Sequence, residues 1–367
     1  MGVEEEYLLV TPGGRPTAVA GAVLALEHAR EAEQGRAEHS PGPGGDLEKE
    51  FTQEQIETST PPCAEVGELL EQLRAGRLRA ETAAQRAGAH VVALGTAPQE
   101  VHATVVPEPR SLEIEARFGQ TAADQLTCGC HVHVRVADDE EGVRVLDHLR
   151  PWNAVLLALS ANSPWFGGRD TGYASFRSQV WGRWPTAGPT GAFGDAAGYR
   201  EVTEALLATR TILDPGMLYF DARLSARYPT VEVRVADVCL DARDAALLGA
   251  LVRGLADTAV ADDGRAAAPP VRTEVLRAAA WQSAHAGLTG DLVCPVRGVP
   301  RPAAEVLERL LDHVRPALRA TGDLAVVEDG LADLLARGTG SAEQHRWRAE
   351  GAGDDEVVRR ACARTLD

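Results

Sequence analysis

The stretch Cys128-Gly129-Cys130-His131-Val132-His133-Val134-Arg135-Val136 (CGCHVHVRV) alternates in character every second residue. Successive side chains on a strand point to opposite faces. The pattern therefore predicts a strand over 127–136, with Val132, Val134 and Val136 on one face and His131, His133 and Arg135 on the other. Two more segments read the same way. In GVEEEYLLV (2–10) Glu4 and Glu6 share a face opposite Val3, Glu5 and Tyr7; in YPTVEVRVAD (228–237) Val231, Val233 and Val235 oppose Glu232 and Arg234. The three imply one sheet with an oily face for packing and a polar face carrying carboxylates, imidazoles and guanidinium groups. A polar sheet face is usually just solvated, but solvated faces favour Thr, Lys and Ser. A face of Glu, His and Arg is read here as a cation and phosphate site.

The residue types set the chemistry. Glu4 and Glu6, two carboxylates on one strand face, suit hard cations such as magnesium or manganese, which take oxygen ligands. Glu48, Glu50, Glu54 and Glu57 form a second acidic group; Glu50 and Glu57 flank a predicted turn that lets two strands offer both to one cation, and a solvated acidic hairpin is the competing reading. His131 and His133 put two rings on one face, where neutral imidazole suits manganese and zinc better than magnesium; one ring can ligate while the other bonds a phosphate oxygen, and a pair of satisfied core histidines is the alternative. Glu232 with Arg234 places a carboxylate beside a permanent cation. Arg223 and Arg227 lie just upstream, and Arg169, Arg177 and Arg183 lie in a Gly- and Trp-rich segment (162–191). Arginine forks match phosphate and carboxylate oxygens bidentately. Such a convergence suggests phosphoryl transfer, with divalent ions bridging ATP phosphates and arginines neutralising the developing charge.

Composition narrows the classes. The chain has 367 residues, a formal net charge of −17, 44% hydrophobic and 25% charged residues. That is long enough for one large domain, and its acidic balance argues against a nucleic-acid or anionic-membrane partner. No apolar run reaches the ~20 residues needed to span a bilayer, and the first strand begins at Met1 or Gly2, so no signal peptide is expected. Six scattered cysteines argue against a disulfide framework and for a reducing cytosol, hence a cytoplasmic protein; Cys128 and Cys130 are expected to be buried strand residues. Lys49 is the sole lysine, so no G-x-x-x-x-G-K-[ST] phosphate loop is available. No G-x-S-x-G appears and no G-x-G-x-x-G follows a predicted strand.

Periodicity organises the rest. Helices are expected at 17–34, within 64–94, at 111–125, at 140–160 with a break at Pro151, and at 199–213; 35–45 reads as a Gly/Pro-rich loop, 47–62 as strand, turn and strand, and 217–236 as a strand pair. From 241 onward the pattern is almost entirely helical: 241–262, 272–286, 302–319, 323–337 and 354–365. Mixed elements first and helices last argue for an α+β fold with helices covering the oily face of an antiparallel or mixed sheet.

GVEEEYLLV, LEKEFTQEQIETSTP, CGCHVHV, LSANSPWFGGRDTGYASFRSQVW and YPTVEVRVAD, in this order, resemble the type 2 glutamate–cysteine ligase, or carboxylate–amine ligase, family. The resemblance spans about residues 2–238. It implies a glutamine-synthetase-like fold, a curved and mostly antiparallel sheet lining an open funnel-shaped site and packed on helices, in a single domain with a sheet-bearing part (1–238) and a mainly helical part (239–367). It implies ATP-dependent ligation: a carboxylate, best matched by the γ-carboxyl of glutamate, is phosphorylated, and an amine, best matched by L-cysteine, attacks the acyl phosphate to give an amide, ADP and phosphate. By the superfamily pattern Glu4, Glu6, Glu50, Glu57, His131 and Glu232 match metal ligands for Mg²⁺, with Mn²⁺ as the alternative. His133 and Arg234 match positions near the ATP phosphates and the transition state, and Arg177 and Arg227 match substrate or phosphate positions. Glu48 competes with Glu50, since the two differ by one strand repeat. The expected partners are small-molecule acid and amine substrates, and family likeness points to a homodimer. Another acid or amine, a metal-dependent phosphotransferase related to guanidino kinases, and a non-catalytic nucleotide-binding homologue are the alternatives.

Overall fold

The computed structural model describes residues 1–33, 44–261 and 268–367. The loop expected at 35–45 lies outside the described residues apart from Gly44 and Gly45, as do the last positions of the helices expected at 17–34 and 241–262.

The alternating segments all pair into one sheet. Its strands are β1 (Gly2–Val10), β2 (Asp46–Lys49), β3 (Gln55–Ser59), β4 (His90–Val92), β5 (Gly129–Arg135) and, after a short hairpin β6 (Trp165–Phe166) and β7 (Arg169–Asp170), β8 (Ala222–Leu224) and β9 (Thr230–Asp237). The spatial order is β2-β3-β1-β5-β9-β8, with β4 pairing the far end of β1, and every pairing is antiparallel. The long β1 is central because it must satisfy partners on both sides: β3 along Glu4 to Leu8, and β5 then β4 on the other edge.

The oily face behaves as the alternation predicts. Val3, Val132, Val134, Val231, Val233 and Val235 are buried in one cluster with Leu247, Leu248, Leu251 and Leu255 of the helix Ala242–Ala261. That helix is wrapped by Val66–Arg86, Asp139–Leu149, Ala303–Thr321 and Leu324–Arg337. A Cβ at Gly249 would sit 2.7 Å from Leu69 Cδ2, so the small residue sets how closely the helices Val66–Arg86 and Ala242–Ala261 approach. Burying each such leucine stabilises the fold by roughly 1.5–3 kcal/mol.

One charge lies on this face. Glu5 is wholly buried and accepts from Arg77 Nε at 3.0 Å and Nη2 at 2.5 Å, while Tyr7 donates its hydroxyl to the same carboxylate at 2.9 Å. Arg77 spends its remaining N–H groups on the carbonyls of Cys239, Leu240 and Thr365. A buried carboxylate is tolerable only when paired and hydrogen-bonded, and this pair ties β1 to the start of the central helix and to the C-terminus.

Several boundaries differ from expectation. The helix within 64–94 stops at Arg86, and His90–Val92 adds strand β4, because three residues after Gly88 are too few to show a period. Pro151 does divide Asp139–Leu149 from Asn153–Ser160. The 162–191 segment is not one loop: it holds the β6–β7 hairpin and the helix Arg177–Trp181. The strand pair begins at Ala222 rather than 217. The helical tail also contains a hairpin, β10 (Asp291–Val293) with β11 (Pro300–Pro302), and an additional helix, Gly340–Ala349. Cys128 and Cys130 are buried and free, as expected, with Cys130 in β5. Among the described residues no helix is long and apolar enough to cross a membrane.

Candidate active site

Register assembles the polar face. Glu6 lies opposite Glu57, which lies opposite Glu48; Glu4 lies opposite His131; His133 lies opposite Glu232, which lies opposite Arg223. Six strands thus deliver one row of ionisable side chains to the same side. A cleft of about 1130 Å³ lies against them, with an aromatic and aliphatic wall that includes Ile114, Trp181, Trp184, Leu218 and Tyr219.

Glu4 sits between the two imidazoles. Its Oε2 is 3.4 Å from His131 Nδ1 and its Oε1 is 3.1 Å from His133 Nε2, while His133 Nδ1 reaches Thr230 Oγ1 at 3.0 Å. Burial would raise the Glu4 carboxyl, but hydrogen bonding to His131 and His133 holds it well below the usual carboxylate range. Burial, helped by the nearby Arg234 charge, pulls His131 down to about 4, so its ring is neutral and available as a ligand. Its Nε2 is buried without a hydrogen-bond partner. Glu4, His131 and Glu232 each offer a ligand atom, all within 4.8 Å of one another.

A second group is purely acidic. Burial and then the proximity of Glu50 push the Glu57 carboxyl well above its ordinary value, and the same two causes raise Glu6. Glu6 Oε2 also accepts from the Gly129 amide at 2.5 Å. Glu50, one residue past the end of β2, therefore joins Glu6 and Glu57. The Glu48 side chain is 55% exposed and turns to the rim, 4.0 Å from Arg227 Nη1. Glu54 leaves the group: its carboxylate accepts from the Thr104 amide. Crowded carboxylates with raised proton affinity and a buried imidazole nitrogen without a partner fit divalent cations by donor type.

At the other end of the row Arg223 donates to Glu232 from Nε at 2.7 Å and from Nη2 at 3.3 Å, and Arg234 Nη1 bonds the same carboxylate. Burial opposes ionisation, yet Arg234 and Arg223 hold Glu232 down to about 2. Arg234 Nε is buried and without a partner, and its Cζ lies 5.8 Å from the Trp181 ring.

Two expected residues stand apart from the row. Arg227 is exposed on the rim. Arg177 is buried beneath the floor, behind Gly129 and Arg234, and is absent from the cleft lining. Asp237, whose carboxylate anchors the loop carrying Arg177, was not singled out from sequence, and Arg223, named there as a phosphate-type arginine, is shown by its register to pair with Glu232 instead.

The model of glutamate–cysteine ligase family 2 matches residues 1–364. A provisionally named glutamate–cysteine ligase 2-3 of Paenarthrobacter aurescens (strain TC1) is 48% identical over 94% of this chain and 78% of its own. A provisionally named glutamate–cysteine ligase 2 of Streptomyces coelicolor is 46% identical over 99% of this chain and 98% of its own. In fold the chain is similar to the Francisella tularensis glutamate–cysteine ligase solved in complex with AMP, at a TM-score of 0.65 and 13% identity, over all of this chain and 88% of that one. It is also similar to a bifunctional glutathione synthetase from Pasteurella multocida, at a TM-score of 0.69 and 16% identity, of whose length it spans 52%. With matched motifs and a family model running almost end to end, this chain belongs to glutamate–cysteine ligase family 2.

Proposed function

We propose that the protein is an ATP- and Mg²⁺-dependent carboxylate–amine ligase that activates the γ-carboxyl of glutamate and joins it to the amine of L-cysteine. The observation that carries this reading is the single row in which carboxylates and a neutral imidazole stand beside the Arg223–Glu232–Arg234 cluster, facing one cleft. Family membership and the AMP complex of the Francisella relative agree with it.

The carboxylates Glu6, Glu50 and Glu57, and the set Glu4, His131 and Glu232, are the residues that would hold cations. When bound, the cations supply positive charge that offsets the repulsion between ATP phosphates and an attacking carboxylate. Everything else falls to this chain's own groups. Arg234, a cation at every working pH, faces the charge that develops on the transferring phosphoryl group. His133, held through Nδ1 by Thr230 and with Nε2 3.1 Å from Glu4 Oε1, lines the cleft where that ring nitrogen would offer a proton to a phosphate oxygen. Arg223 locks Glu232 so that it does not swing to Arg234 alone. In the first half-reaction a carboxylate oxygen of the acid takes the γ-phosphorus and ADP leaves. In the second the amine nitrogen attacks the acyl carbon, phosphate leaves with that oxygen, and the nitrogen loses a proton. No enzyme nucleophile is required.

Glutamate labelled with ¹⁸O in its γ-carboxyl tests the route. One labelled oxygen per turnover appearing in released phosphate is the expected result; label retained wholly in the acid and amide overturns the acyl phosphate. A phosphorylated acid accumulating without consumption of amine would mark a phosphotransferase instead.

A further inference from the structure

Arg177 is 2% exposed, yet among the described residues no carboxylate lies within ion-pair distance of its guanidinium, and its Nε has no partner. Its charge reaches the buried carboxylates of Glu6, Asp221 and Asp237 only at longer range; a buried charge without a direct ion pair is costly, so packing alone gives no reason for it. What holds it there is specific. Asp237 ends β9 and is wholly buried; its Oδ2 accepts from the Asn162 amide at 2.9 Å and from Ser163 Oγ at 2.7 Å, and its Oδ1 accepts from Ser175 Oγ at 2.8 Å. Ser163 Oγ in turn accepts from the Arg177 amide at 2.9 Å. The first residue of the helix Arg177–Trp181 is thereby pinned to the end of the strand that carries Glu232 and Arg234.

From this anchor the guanidinium crosses Gly129. Any Cβ at Gly129 would collide with Arg177 Nη2 and would lie 3.0 Å from His131 Nε2, so position 129 is kept empty for Arg177. Arg177 Nη2 approaches the Arg234 carbonyl at 3.5 Å. One helical turn on, the Trp181 ring lies 5.6 Å from Arg177 Cζ and 5.8 Å from Arg234 Cζ, so the two guanidinium groups share one indole.

We infer that Arg177 and Asp237 are positioning residues: the Ser163–Asp237–Ser175 clamp seats Arg177 under the floor, and Arg177 with Trp181 fixes the direction in which Arg234 presents its guanidinium to the cleft. The inference rests on the phosphoryl role proposed for Arg234. Displacement of a reacting group by about 1 Å can cost on the order of a hundredfold in rate, which sets the scale expected.

The test uses the full chain and two readouts. The first is the indole N–H resonance of Trp181, assigned with Trp181→Phe; the second is kcat against KM for ATP. Arg177→Lys keeps the charge and loses the fork, Ser175→Ala removes one bond of the clamp, and Asp237→Asn removes its charge. Each is expected to shift the Trp181 resonance and to lower kcat at least tenfold, with KM for ATP within twofold. Gln344→Ala is the structural control: it removes two bonds to Asn162 from outside the clamp. It should lower the melting temperature and leave both the resonance and kcat in place. An unmoved Trp181 resonance in Arg177→Lys overturns the inference, as does unchanged kcat or equal losses in Gln344→Ala. A wild type that turns over no acid and amine pair defeats the proposed function, and the resonance then decides the positioning claim by itself. Ser175→Ala keeps the question answerable if Asp237→Asn does not fold.

Discussion

Glu6 and Glu57 stand directly opposite one another on the antiparallel strands β1 and β3, with Glu50 close to both and no ion pair to Glu57 among the described residues. Like charges directly across a strand pair are destabilising by up to about 1 kcal/mol, and burial amplifies the effect. The arrangement is unfavourable until a cation joins it. Glu57→Gln should therefore raise the melting temperature of the metal-free protein while abolishing the added stabilisation that Mg²⁺ or Mn²⁺ gives the wild type. Thermal unfolding with and without the cation checks both halves. A wild type indifferent to both cations would contradict this account of the acidic group.

The Glu5–Arg77 pair is a fold element, not a site. Removing one partner strands the other in the core, so Arg77→Ala should destabilise by about 3–5 kcal/mol, and joint replacement by Glu5→Leu and Arg77→Met should recover much of the loss. Urea midpoints of the two single variants and the double variant would show it; additive losses would argue that the pair is not coupled.

Arg223 orients a carboxylate that is itself shared with Arg234. Loss of a partner that orients a metal-binding carboxylate commonly costs 10–100-fold in metal affinity or activity. Arg223→Ala should raise the Mg²⁺ concentration for half-maximal turnover by that order and lower the melting temperature by only a few degrees. Turnover with unaltered Mg²⁺ dependence would assign Arg223 to packing.

Asp241 gives a pH signature. Burial opposes its charge, but hydrogen bonds from Arg243 and the charges of Arg364 and Arg243 hold its carboxyl well below the ordinary range. A carboxyl whose folded value is depressed contributes stability that is complete above its unfolded value of about 3.9 and fades as pH falls through the folded value. Asp241→Asn should thus be less stable than wild type by about 1–3 kcal/mol at pH 7, with the gap closing below pH 4. Denaturant titrations across that range would show a gap independent of pH if the ion pairs contribute nothing.

Much of this was legible before any coordinates. Alternation in three short segments gives the faces of β1, β5 and β9, because burial of one face leaves little freedom in which residues point inward. Register between strands is not in the sequence, so Glu48 and Glu50 looked equivalent until pairing put Glu48 opposite Glu57 and the chain beyond Lys49 brought Glu50 back to it. Depth is equally hidden: Arg177 and Arg234 are both arginines that read as phosphate-type groups, but the Asp237 clamp holds one below the floor while the other lines the cleft. The short strands β4, β10 and β11 carry too few residues for a period, and the helix Gly340–Ala349 is too polar to announce itself by an apolar stripe.

The central claim is that ATP hydrolysis here is coupled to joining an acid and an amine. ADP release should be measured with ATP and Mg²⁺ across a matrix of acids and amines, with product masses read alongside. The account predicts ADP only where both partners are present, strongest for glutamate with cysteine, and a product of γ-glutamyl amide mass. ADP formed at the same rate without any amine, or none with any pair despite measurable ATP binding, would contradict it.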